Sequence, residues 1–168
     1  NISTSFRDGI LLQKYNALNT AHNNFNDTIN NMVEDSVATE SEKTAFENAT
    51  TSYNTALGEL SKAFDGAIND ISMNMSNAIM EALKTEIQGN INDVQGSVDD
   101  LDNYLKTSFR DGVLSDAEKE TIRTHLITLA TEKKDVDQQY TSLCRMEDLT
   151  GWARTLLVTA YDEYVIAY

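Results

Sequence analysis

The stretch FRDGVLSDAEKETIRTHL, residues 109–126, spaces oxygen-bearing side chains as a metal loop would. With Gly112 at the sixth position of a calcium loop, Asp111 falls at the fifth, Ser115 at the ninth and Glu118 at the twelfth, where a bidentate carboxylate belongs. The same register puts Thr107 first and Phe109 third. Phenylalanine supplies no oxygen and threonine no charge, so we reject Asp111, Ser115 and Glu118 as a metal site. A second occurrence starting at Asn31 fares no better, with Val33 third and Ser36 where the glycine belongs. Helix capping explains these residues more cheaply. Ser115 can accept from the amide three residues on while Glu118 reaches back to the cap amide, and Asp116 suits the positive end of the helix dipole. Thr39 and Glu42 repeat the pair earlier in the chain. Two capping boxes are therefore expected, with no metal and no cofactor.

Other chemistry is sparse. His22 and His125 stand alone, and neither begins a His-x-x-x-His pattern. A nucleophile elbow, a phosphate-cradling glycine loop and a Cys-x-x-Cys pair are all missing. The single cysteine, Cys144, excludes an internal disulfide framework and reads as a small buried hydrophobe. The carboxylates are spaced as solvent faces, so the chain reads as non-enzymatic. Trp152, Tyr161, Tyr164 and Tyr168 allow two readings: interhelix contacts, or an exposed surface for a protein or sugar.

These residues must be held by helices. The 168-residue chain contains no proline, which favours uninterrupted helix. Its formal net charge of −14 repels phosphates and anionic headgroups, arguing against nucleic-acid and membrane partners. No apolar run approaches the ~18 residues of a membrane span. The starting NISTSF and final YVIAY read as cuts through a longer protein.

Leu11, Leu18, Phe25, Ile29 and Met32 recur at helical spacing, widened by Tyr15 and His22, and predict a helix from about Ile10 to Glu34. A second begins at about Glu40. From Phe46 the stripe continues almost without interruption to Leu105. As one helix, residues 40–105 would extend roughly 100 Å. The run GNINDVQG, residues 89–96, is its expected weak point, because each helical glycine costs about 1 kcal/mol relative to alanine. Ile91, Val94, Val98, Leu101 and Leu105 follow the alternation of a coiled-coil seam, whose partner helix is either within this chain or in another copy. A further helix should run from Ser115 to about Arg145, with Lys133 interrupting its stripe and sending its ammonium to water. The last begins at Trp152.

Internal repetition organises the chain. TSFRDG occurs at residues 4–9 and 107–112, an offset of 103. Leu11, Tyr15, Ala21 and His22 match Leu157, Tyr161, Ala167 and Tyr168 at 146. Asp35, Val37, Thr39, Glu42 and Lys43 match Asp111, Val113, Ser115, Glu118 and Lys119 at 76. We divide the chain into a shortened first repeat over 1–66, a long coiled-coil helix or insert over 67–106, and a second repeat over 107–168. The expected fold is all-α: an elongated antiparallel helical bundle with a long coiled-coil helix.

FRDGVLSDAEKETIRTHLITLATEKKDVDQQYTSL and TAHNNFNDTINNMVEDSVATESEKTAFENATTSYNTAL resemble helical repeats of minor structural proteins of tailed phages and prophages of Gram-positive bacteria. The shared features are the Asp-Gly-x-[Ile/Leu/Val]-Ser-x-x-Glu helix start, Glu132 to Tyr140, and Tyr53 to Leu57. The resemblance covers residues 4–65 and 104–168. It implies a spacer or scaffold in a tail tip or baseplate that positions host-recognition domains. The implied partners are further copies, other virion tail proteins and, through neighbouring domains, host-surface carbohydrate. The implied location is the virion, or the bacterial cytoplasm for prophage expression. A helical module binding a protein or host sugar through exposed aromatics is the alternative.

Overall fold

The structure, a computed structural model, describes residues 6–71 and 76–145. A π-helical turn, Phe6–Leu11, leads into α1, Leu12–Glu34; α2 spans Glu40–Ile71, α3 Asn77–Ser108 and α4 Asp116–Arg145. A 3-10 turn, Phe109–Asp111, follows α3. The fold is all-α: α1 packs on α2, α2 on α3 and α3 on α4 in an up-down-up-down bundle. Short connections at 35–39 and 112–115 force each pair antiparallel and bring both turns to the same end, here called the tip. At 32 residues each, α2 and α3 are roughly 48 Å long at 1.5 Å per residue.

The expected rod over 40–105 is instead two helices. Ser76 caps the start of α3, its hydroxyl accepting from the Ile79 amide at 3.4 Å. The chain therefore stops and restarts before α3 rather than at GNINDVQG, through which α3 runs unbroken. Packing on two neighbours offsets its glycine cost, a tertiary override that local propensity does not show. Ile79, on the expected stripe, is exposed. Ile91, Val94, Val98, Leu101 and Leu105 are all buried within this one chain. Boundaries at 66 and 106 fall within α2 and within the last turn of α3.

The repeat that organises the fold is the one at offset 76. Leu18, Phe25, Ile29 and Val33 stand where Val94, Leu101, Leu105 and Phe109 stand one repeat later, and all eight are buried. Phe46, Tyr53, Leu60 and Ala67 correspond in the same way to Ile122, Leu129, Val136 and Leu143, again all buried. TSFRDG is not structurally equivalent in its two places. Residues 6–9 of the first copy lie in the π-helical turn entering α1, whereas the second copy ends α3.

At the tip the two turns face each other across a pseudo-two-fold axis. An isolated antiparallel bridge joins Val37 to Val113. The Leu114 amide donates to the Ser36 carbonyl at 2.8 Å, and the Ala38 amide to the Gly112 carbonyl at 3.4 Å. Each bond is the repeat counterpart of the other. Ser36 and Gly112, also counterparts, share the left-handed backbone region with φ of 69° and 79°.

Candidate functional site

At the tip, both capping boxes form. The Thr39 amide donates to the Glu42 carboxylate at 2.8 Å, and the Glu42 amide to the Thr39 hydroxyl at 3.2 Å. Ser115 and Glu118 repeat this at 2.8 and 3.3 Å. The hydrogen bonds from Ser115 hold the Glu118 carboxyl below its usual range. Asp35 and Asp111 each accept from the amide two residues on, at 3.1 and 3.2 Å. These oxygens are therefore committed to starting helices. Among the described residues no group of three His, Cys, Asp or Glu converges as metal ligands.

The richer polar chemistry lies along the seam between α1 and α4. Lys133 sits at a core position of α4, and its side chain is only 6% exposed. Burying an ammonium requires partners, and two are present. Its Nζ donates to Asn19 Oδ1 at 2.6 Å and to Asp137 Oδ1 at 2.5 Å. It also lies 5.5 Å from the centroid of the Tyr15 ring. The expectation that this ammonium reaches water is corrected: α1 supplies a carboxamide and an aromatic face, and the next turn of α4 a carboxylate. Tyr15 donates from its hydroxyl to Asp137 Oδ1 at 3.0 Å and stacks on Tyr140 with ring centroids 3.8 Å apart. A shallow cleft of about 360 Å³, lined by Lys134, Asp137, Gln138, Thr141 and Ser142, opens onto Asp137 from the outer side.

Next to this pair, His22 on α1 is held on both ring nitrogens. Nδ1 lies 2.6 Å from the Tyr53 hydroxyl of α2, and Nε2 lies 3.1 Å from Asn26 Nδ2. Burial, reinforced by the Lys133 charge and partly opposed by Asp137, lowers its pKa to about 4. The imidazole is therefore neutral at pH 7. Tyr53 is fully buried, and its hydroxyl is pushed well above its ordinary range, first by burial and then by the charges of Asp137 and Glu132. Burial is also the main cause that raises Tyr15. From α3, the Ser97 hydroxyl donates to Glu132. All four helices thus contribute to one polar layer, which holds three charges, Lys133, Asp137 and Glu132, and a neutral imidazole.

Sequence reasoning singled out His22 and Lys133 but did not join them; it placed Tyr15 and Tyr53 on apolar stripes without a polar role, and passed over Asn19 and Asp137. A signal was available: Tyr15 with Asn19 and Lys133 with Asp137 are both i,i+4 pairs. His125 is half-buried against the Tyr104 ring at 5.5 Å, and Cys144 is half-buried beside the core. Trp152, Tyr161, Tyr164 and Tyr168 lie outside the described residues.

No protein-family model, curated protein or solved structure matches this chain.

Proposed function

We propose that the chain is a non-enzymatic structural bundle of a phage tail tip or baseplate, acting as a post that holds neighbouring domains in place. The resemblance carried by Asp111, Gly112, Ser115 and Glu118 supports the virion setting. One observation shapes the mechanical role: Tyr15, early in α1, stacks on Tyr140, late in α4. A four-helix bundle with this order returns the chain to the end where it began. Segments attached before α1 and after α4 would leave side by side, and the tip would project away from them. This is a lateral post rather than an in-line spacer, and helix-on-helix burial at about 25 cal/mol per Å² of apolar area gives it stiffness.

A second reading, an interaction module for a protein partner, draws on one feature. Val37 and Val113 are 48% and 52% exposed and sit together at the tip.

Mass spectrometry and electron microscopy of purified particles from a strain encoding the chain would test the virion role. Its peptides should persist through stringent washing, and tip-directed antibody should label tail ends. Particles that lack both would refute the proposal. A labelled tip that captures one defined tail protein, and loses it on Val37→Asp, would favour the second reading.

A further inference from the structure

We infer that a cavity at the tip, between α1, the start of α2 and the end of α3, seats one apolar side chain of a partner protein that carries a carboxylate beside it. The inference sharpens the interaction-module reading and does not depend on the virion setting. The cavity has a volume of about 250 Å³. Buried Met32, Phe46, Leu105 and Phe109 make its apolar floor. Its rim is polar: half-buried Lys43 and exposed Glu47, Lys106 and Arg110. The turns of the tip hold both sides of it. The Lys43 amide donates to the Thr39 carbonyl at 3.0 Å in the capped first turn of α2, and the Phe109 carbonyl accepts from the Gly112 amide at 3.1 Å. The site is therefore carried by helix ends that local bonds fix, which keeps its shape ready for a ligand.

Charge selects the ligand. In a chain of net charge −14, three basic side chains line this one cavity. Two of them are engaged: Lys43 with Glu40 at 2.8 Å and Lys106 with Asp102 at 2.7 Å. Asp102 and, to a lesser degree, Glu47 hold the Lys106 ammonium above its usual range. Among the described residues, no hydrogen bond or ion pair engages the Arg110 guanidinium. Its fork of donors matches a planar carboxylate. With Glu40, Asp102 and Glu47 nearby the site is close to neutral, so the fork rather than a broad positive field does the holding. A single negative charge suits it better than a phosphate dianion. Volume decides between a free ligand and an anchor. Pockets for whole small molecules run about 300–1,000 Å³, and this cavity falls below that range, which fits one seated side chain of a larger partner. Val37 and Val113, exposed at the same tip, offer further apolar contact. The counterpart positions at offset 76 differ: Glu34 stands for Arg110 and Asn30 for Lys106, while Arg123 is already paired with Glu120 at 3.2 Å. The site thus belongs to one side of the tip.

Nuclear magnetic resonance titration of the isotope-labelled full chain tests the inference with three probes: the blocked peptide acetyl-Phe-Glu-amide, its uncharged analogue acetyl-Phe-Gln-amide, and phenylacetate. The acidic peptide should saturably shift the amides of Met32, Phe46, Phe109 and Arg110. It should bind about 3- to 5-fold more tightly than the uncharged one, the effect of a partly exposed ion pair. Arg110→Gln, at an exposed position, should erase that preference and leave the binding of acetyl-Phe-Gln-amide unchanged. Arg110→Lys should restore part of it, because the charge returns without the fork. No saturable shift, shifts centred away from the cavity, equal affinity for the two peptides, or a preference that survives Arg110→Gln would each overturn the site. Phenylacetate binding as tightly as the acidic peptide would overturn the side-chain assignment in favour of a free acid. Failure of all three probes, with a tail protein still captured through Val37, would refute the cavity and spare the interaction-module reading.

Discussion

The two seams between hairpins are repeat counterparts built from different chemistry. Lys133 and Tyr15 meet at α1/α4, and His22 and Tyr53 pair between α1 and α2. Their counterparts Leu57, Val98, Leu129 and Ile91 are all buried and apolar. Asp137 corresponds to Ser61, so the apolar side also lacks the carboxylate that an ammonium would need. A duplicated core can thus host a charge on one side without losing its helical pattern, provided the partners are installed with it. The polar layer also distinguishes two hairpins whose apolar stripes are interchangeable, since Lys133 finds Asn19 only when α4 lies beside α1.

The most severe way to break this comparison is to move the charge without its partners. Leu57→Lys places an ammonium next to apolar neighbours with no carboxylate at the Ser61 position, and should destabilise the bundle by at least about 4 kcal/mol. Urea denaturation followed by circular dichroism measures it. A loss below about 1 kcal/mol would mean that water already reaches the apolar seam.

Acid provides the next largest effect. His22 has a folded-state pKa of about 4 against 6.5 for the free side chain, so the fold favours the neutral ring. The contribution is complete above pH 6.5, falls as the unfolded chain takes up the proton, and levels off below about 4. It amounts to at most about 3 kcal/mol, less where water reaches the ring edge. Glu59 and Glu118, both lowered below 4.5, titrate beneath most of that window. Urea midpoints at half-unit steps from pH 7 to 4.5 should decline steadily in the wild type and stay level in His22→Val. A level wild-type curve would remove His22 from the account.

The helix starts were legible in the sequence because they are local: Thr39 with Glu42 and Ser115 with Glu118 make their bonds within four residues. The burial of Phe25, Ile29, Leu101 and Leu105 followed from periodicity alone. The stop before Ser76 was not legible, because the apolar stripe is in phase on both sides of it and nothing in composition distinguishes one 66-residue helix from two antiparallel ones. Identity drew attention to TSFRDG, whereas the fold repeats at 76 residues, where burial recurs with few identical letters. The polar layer was hidden for the same reason. Its members sit 114 residues apart in the case of Asn19 and Lys133, and only tertiary packing brings them together.

Lys133→Leu makes the polar seam resemble its counterpart. Replacing a buried ion pair by a fitting hydrophobe is often neutral or stabilising, and Asp137 borders an open cleft where water can take the place of the ammonium. The expected change is between zero and about 2 kcal/mol of added stability, read from the urea midpoint. A loss above about 3 kcal/mol would show the lysine to be essential to packing, and would make the two seams less alike than their repeat positions imply.

The smallest effect concerns the turns at the tip, where Ser36 stands at the position that Gly112 holds one repeat later. Ser36 and Gly112 both hold a left-handed backbone, at φ of 69° and 79°, and only glycine adopts it without a Cβ penalty. At Gly112 an added Cβ would meet nothing within 4 Å, so the cost of a side chain there is backbone strain rather than collision. Ser36→Gly should therefore stabilise by about 0.5–1 kcal/mol, and Gly112→Ser should destabilise by a similar amount. Thermal melts of both single variants and of the exchange variant carrying the two together provide the test. Near cancellation in the exchange variant would mean that the two turns are energetically equivalent. A loss on Ser36→Gly would mean that the serine side chain contributes to its turn in a way that Gly112 has no counterpart for, and the pseudo-symmetry of the tip would then extend to its backbone only.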